Sequence, residues 1–150
     1  MNYQSAIAEA HDLTHGADDG LMFALIKSAR HIHEKLERTL ESVALTPAKF
    51  QALDALVKAG EPMALSELAG SLNCVRSNIT QLADRLELDG LVKRVDDASD
   101  RRAIRAVVTP LGIERHAAGT EAIAGLQVEF ASMVSSNDRL RLVKVLSGLV

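Results

Sequence analysis

The sequence predicts a mainly α-helical chain with one small β-hairpin. Three observations predict it. Apolar residues recur every three or four positions along most of the chain, the mark of amphipathic helices. Strand-like patterning is confined to Leu91–Val95 and Ile104–Val108, on either side of a turn rich in Asp and Ser. Thr-Pro occurs twice, at Thr46-Pro47 and Thr109-Pro110, each time directly before a helical pattern. Thr caps the first orphan N–H groups there, and Pro at the first helical position sacrifices no useful hydrogen bond.

In chain order, residues 1–15 suggest a loose helical arm broken at Gly16, after which Asp18 or Asp19 can cap the next helix. From Leu21 to Val43 the apolar positions 21, 25, 28/29, 32, 36, 40 and 43 form one stripe of a long helix. The helix begun at Thr46-Pro47 has Phe50, Leu53, Leu56 and Val57 as its stripe and ends near Gly60-Glu61-Pro62. Leu65 to Leu72 is short, with Leu65, Leu68, Ala69 and Leu72 on one face. After Asn73-Cys74, the segment VRSNITQLADRLELDG buries Ile79, Leu82, Ala83 and Leu86, and Gly90 suits a left-handed C-cap. Its opposite face carries Ser77, Asn78, Gln81, Asp84 and Arg85. Two compact helices joined by a tight turn, the second polar outward at its start, make a helix-turn-helix. The hairpin follows. The Thr109-Pro110 helix then runs to about Val134, with Ile113, Ala117, Ile123, Phe130 and Val134 in its stripe. A last helix, capped near Ser136 or Asp138, aligns Leu140, Val143, Leu146 and Val150, with Leu142 and Leu149 beside them.

Composition narrows the function. A chain of 150 residues suits one domain with a real core. With only Tyr3, Phe23, Phe50 and Phe130 as aromatics, that core is aliphatic. The start MNYQSAIAEAHDL lacks the basic-then-apolar order of a signal peptide, and no apolar run approaches the ~20 residues of a membrane span. The single Cys74 allows no internal disulfide, so a reducing cytoplasm is the expected location. The net charge of −3 is unlike a nucleic-acid binder, yet Ser71 to Arg105 carries seven basic residues against six acids. Residues 1–45 carry four basic against seven acidic. No P-loop, dinucleotide glycine pattern, His-Glu-x-x-His or framed nucleophile is present, so an enzyme is not expected. Single-strand and RNA binders stack bases on exposed aromatics, whereas Phe23 and Phe50 sit in apolar stripes.

Helix, helix and hairpin in that order constitute a winged helix-turn-helix, and the chain resembles the MarR family of transcription regulators over roughly Leu21 to Ala118. The resemblance is carried by LTPAKFQALDAL (45–56), LSELAGSLNCVRSNITQLADRLELDGLVKR (65–94) and DDASDRRAIRAVVTPLG (96–112). In the last, Asp100 and Arg102 fill the family's Asp-x-Arg, and Val108 to Gly112 its Leu-Thr-x-x-Gly tail. Two positions depart from the pattern. Val75 replaces the Ser that would cap the recognition helix, at a cost of about 1 kcal/mol, and Ala64 replaces a usual Thr or Ser. The resemblance implies a single domain, 1–150. Within it, 46–109 form a DNA-binding lobe, and N- and C-terminal dimerisation helices (1–45 and 110–150) build a two-fold homodimer on palindromic double-stranded DNA. Half-sites then lie about one helical turn apart.

The candidate site follows. Arg76, Ser77, Asn78 and Gln81 suit base edges in the major groove, with Thr80 placed for a phosphate. Arg85 fits either a phosphate contact or an internal salt bridge. At the wing, Asp100 orients an arginine toward the minor groove; the resemblance favours Arg102 for insertion and Arg101 for the backbone. A merely solvated polar face and a surface ion pair are the bland alternatives. Relatives bind small aromatic or phenolic acids, which makes Met22, Phe23, Ile26, Arg30, His33 and Phe50 candidate effector contacts. Repression, relieved by such an effector, is the expected mode of action. Cys74 replaces a buried Leu and reads as a small hydrophobe. A thiol redox sensor is the alternative, although the positions of the family's peroxide-sensing residues hold Met22, Ile26 and Leu36. His11 and His15 have i, i+4 spacing without a supporting ligand cluster, and His31 and His33 point apart on a helix, so neither metal nor cofactor is expected. A winged helix that binds only protein is the remaining alternative.

Overall fold

The computed structural model describes residues 17–72, 76–97 and 104–149. Among these the order is α1 (Ala17–Glu41), α2 (Pro47–Ala59), β1 (Met63–Ala64), α3 (Leu65–Ser71), α4 (Arg76–Leu88), β2 (Val92–Asp96), β3 (Ile104–Val108), α5 (Pro110–Met133) and α6 (Ser136–Ser147). The chain divides into two compact units, Met1–Lys35 and Leu36–Val150. In the first, Leu21, Met22, Ile26 and Ile32 of α1 are between 45% and 62% exposed.

Local chemistry sets the element ends of the second unit. The helical pattern was expected to reach Val43, but α1 stops at Glu41 because Ala44 adopts a left-handed φ of 58° in the turn that follows. Thr46 caps α2 by accepting from the Lys49 N–H at 3.3 Å, and Gly60 closes it at φ 69°. Thr109 caps α5 in the same way, accepting from the Gly112 N–H at 3.0 Å. Both Thr-Pro starts therefore stand where the sequence places them. At α6 the cap is Ser135, one residue before the expected Ser136. Its hydroxyl oxygen reaches the Asp138 N–H at 3.2 Å, and its proton goes to the Asp138 carboxylate.

Ala64 has no side chain to cap α3. Instead the Glu67 carboxylate accepts from the Ala64 N–H at 2.8 Å, which supplies the reverse half of a capping box.

The sheet is three-stranded and antiparallel, in the order β1-β3-β2. The hairpin pairs Val92 with Val108 through Asp96 with Ile104, and β1 adds Met63 opposite Ala106 and Ala64 opposite Arg105. The expected second strand is observed without change, whereas the first starts one residue later than expected. β1 was not anticipated, since two residues show no alternation. Leu40, Leu45, Leu53, Leu56, Leu68, Ile79, Leu86, Leu91, Val92 and Ala106 build one aliphatic core beneath α2, α3, α4 and the sheet. That core fixes the orientation of α4.

Candidate nucleic-acid interface

α4 is anchored by Ile79, Ala83 and Leu86, each about 1% exposed, with Leu82 half-buried beside them. The 3.6-residue period then turns Asn78, Thr80, Gln81 and Arg85 outward, and all four are exposed. Among the described residues no carboxylate pairs with Arg85. Its side chain shares a cleft of about 300 Å³ with Ala48, Gln51, Leu72, Asn78, Gln81 and Leu82. Gln51, from α2, enters this polar rim without having been anticipated; a glutamine opposite the Leu53–Leu56 stripe was the available signal. Arg76 opens α4 and Ser77 follows it, but their side chains lie outside what is described. Asp100, Arg101, Arg102, Cys74 and Val75 lie outside the described residues altogether.

Two arginines near the face are engaged internally. Arg94 on β2 donates to Asp84 of α4 and approaches Glu87 at 3.4 Å, while its backbone N–H donates to Glu87 at 3.2 Å. Arg105 on β3 donates through Nε to the buried Asp97 and through Nη1 to the Pro62 carbonyl at 2.9 Å. Its hydrogen bond with Asp97, reinforced by that carboxylate's charge, raises the guanidinium pKa further. Both belong to the basic residues of Ser71–Arg105, but their partners lie on other elements and leave no local signal in the sequence.

The residues considered for an effector fall in both units. Met22, Ile26, Arg30 and His33 are exposed and Phe23 half-buried on the first unit's part of α1. Phe50, in the second unit, stacks on His116 with ring centroids 5.4 Å apart and planes 10° apart. A Cβ added at Gly119 would sit 2.8 Å from the same ring, so Phe50 fills the α2–α5 contact. His116 Nε2 also meets Asp54 at 3.1 Å, and Lys58 donates to the other Asp54 oxygen at 2.6 Å. Burial opposes the Asp54 charge, but the hydrogen bonds from Lys58 and His116 outweigh it and hold this carboxyl below its ordinary range. Among the described residues no group of three or more His, Cys, Asp or Glu side chains is placed to hold a metal ion, and no helix is long and apolar enough to cross a membrane.

A short helix, a second helix with an outward polar face and an antiparallel hairpin define a winged helix-turn-helix protein. Residues 45–104 match the model of the MarR family. The HTH-type transcriptional repressor MdtR of Bacillus subtilis (strain 168) is 31% identical over 119 residues, covering 75% of this chain and 76% of that protein. The uncharacterized HTH-type transcriptional regulator YsmB of the same organism is 38% identical over 90 residues, 57% of this chain. The chain spans 61% of the length of YsmB and 54% of the transcriptional activatory protein BadR of Rhodopseudomonas palustris. Among solved structures, AbsC of Streptomyces coelicolor, a MarR family transcriptional regulator, superposes with a TM-score of 0.76 at 26% identity, over 91% of this chain and 93% of its own. The transcriptional repressor CouR, solved bound to a 23-mer DNA duplex, gives 0.77 at 26% identity, over 91% and 97%. The chain belongs to the MarR family of winged helix-turn-helix transcription regulators, a family of DNA-binding proteins and not of enzymes.

Proposed function

We propose that this protein is a repressor that binds palindromic double-stranded DNA as a homodimer and is released by a small aromatic or phenolic acid. The observation that carries DNA binding is the outward set Asn78, Thr80, Gln81 and Arg85 on a helix whose other face is locked into the core. Amide and guanidinium groups read base edges in the major groove, and a threonine hydroxyl donates to phosphate. Arg76 and Ser77 extend the same helix toward the bases, and Arg85, with no carboxylate partner among the described residues, takes a phosphate. Asp100 orients the wing, Arg102 enters the minor groove and Arg101 meets the backbone.

Residues 46–109 form the DNA-binding lobe, and 1–45 with 110–150 form the dimerisation region. The exposed apolar residues Leu140, Val143, Leu146 and Leu149 of the α6 segment support a partner there, because an isolated chain would leave them in water. Repression is supported by the names of MdtR and CouR. For the effector, Arg30 supplies a cation to attract a carboxylate, and a ligand that lowers DNA occupancy must bind the incompetent state more tightly.

Fluorescence anisotropy on the DNA upstream of the protein's own gene, with a salt series, tests the reading. Sequence-selective binding that weakens steeply with salt is expected, and Arg102→Ala should reduce the salt slope by about one per half-site, about two for the dimer. Absence of binding at low salt, or a monomer by sedimentation at micromolar concentration, overturns it.

A further inference from the structure

Arg105 stands at the junction of four segments. It lies on β3 opposite Ala64 of β1, and its guanidinium bonds Asp97, which directly follows β2, and the Pro62 carbonyl, which precedes β1. Its Nη1 also approaches the Glu67 carboxylate of α3 at 3.8 Å. That same carboxylate holds the Ala64 N–H at the start of α3, the helix end with no side-chain cap. An unbroken chain of polar contacts therefore runs from Asp97 through Arg105 and Glu67 to the first helix of the helix-turn-helix. Asp97 is only 8% exposed, so its charge is fixed at the turn end of the hairpin strands, just past the Asp96–Ile104 pair. A planar guanidinium serves these directions at once, whereas an ammonium offers a single point charge.

We infer that Arg105 is a positioning residue for DNA binding: a clamp that locks the turn end of the wing strands to the helix-turn-helix and contributes no phosphate contact of its own. This rests on the DNA-binding reading above and deepens it. A wing fixed in advance loses no affinity to alternative wing positions. If removing the clamp leaves the competent position occupied about one-tenth of the time, the apparent Kd rises about tenfold.

The test uses the full chain and a duplex that the wild type binds. Arg105→Gln should raise Kd by about tenfold and leave the salt slope unchanged, and Arg105→Lys should recover little of the loss. The distinguishing readout is coupling to the wing: in an Arg102→Ala background, Arg105→Gln should add less than a twofold loss, because the arginine it positions is gone. A slope reduced by about one per half-site and restored by Arg105→Lys would identify a phosphate contact and overturn the clamp. So would full additivity with Arg102→Ala, or an unchanged Kd. Hydrogen exchange supplies a measurement independent of DNA. Amides of β2 and β3 should exchange faster in Arg105→Gln while those of α5 hold, and unchanged exchange refutes the clamp even if the wild type binds no DNA. Should Arg105→Gln fail to fold, Asp97→Asn, which keeps the shape of the partner and removes its charge, carries the same comparisons.

Discussion

Replacing Gly112 by Ala should destabilise the protein more than its size suggests. Gly112 closes the Thr-Pro-Leu-Gly start of α5, and it is buried. A Cβ built there would overlap the Leu91 carbonyl oxygen and lie 2.8 Å from Val108 Cγ2 and 3.1 Å from the Leu91 carbonyl carbon. The first obstacle is backbone, and it is held in place: Leu91 O accepts from the Thr109 N–H at 3.0 Å, with the Thr109 hydroxyl 3.1 Å away. Moving either side breaks the cap. Overpacking of this kind costs about 1–3 kcal/mol and a lost cap about 1 kcal/mol, against a helix-propensity gain of at most about 1 kcal/mol for Ala over Gly. The net loss is about 1–3 kcal/mol, or a fall in Tm of about 2–12 °C for a chain of this size. Thermal unfolding followed by circular dichroism at fixed protein concentration measures it. Gly70→Ala is the internal control. Gly70 is exposed in α3 with nothing within 4 Å of a Cβ, so Ala there should stabilise by about 0.5–1 kcal/mol. A Gly112→Ala protein as stable as the wild type would refute the packing argument.

Two further outcomes follow from the same junction and from the α2–α5 contact. Thr109→Val keeps the shape but removes a hydroxyl that accepts from the Gly112 N–H at 3.0 Å and donates to the Gly90 carbonyl at 2.7 Å, so urea unfolding should show a loss of about 2 kcal/mol. Asp54→Asn should make stability less dependent on pH at the acid end. The folded-state pKa of Asp54 is depressed below 3.8, so its contribution is fully present above that value and is lost as pH falls through the folded pKa. The gap between wild type and variant in acid titration should therefore close as pH falls below 3.8 and through the folded-state pKa; a constant gap would contradict the assignment.

The features legible in the sequence were those with local causes. Thr46-Pro47 and Thr109-Pro110 announce helix starts because cap and Pro act within one turn. Ile79, Ala83 and Leu86 announce a buried face because helical periodicity is local as well. The features that escaped depend on residues brought together from afar. Asp54 meets His116 across 62 positions, and Arg105 meets the Pro62 carbonyl across 43. β1, at two residues, is too short for any pattern. Phe50 is a candidate effector contact through the family resemblance, and its stripe shows only that the ring is buried, not against what. His116 and Gly119 now occupy its surroundings.

These long-range contacts also change how the charge of an acidic chain is counted. Seven basic residues lie between Ser71 and Arg105, which at about 0.9 per neutralised phosphate would allow a dimer a salt slope as steep as about −13 from this segment. Arg94 is held by Asp84 and Glu87, and Arg105 by Asp97 and the Pro62 carbonyl. Each guanidinium must break these pairs before it can neutralise a phosphate, and for Arg105 that leaves the buried Asp97 charge unpaired. Arg76, Arg85, Lys93, Arg101 and Arg102 remain, and the ceiling falls to about −9. A measured slope steeper than this would require either cations outside the segment or release of the two internal arginines on binding. Substitution separates the two. Arg85→Ala should flatten the slope of the dimer by about two units, one per half-site, while Arg94→Gln should weaken binding with the slope intact. If Arg94→Gln flattens the slope as much as Arg85→Ala does, the ion pairs of the free protein do not survive on DNA.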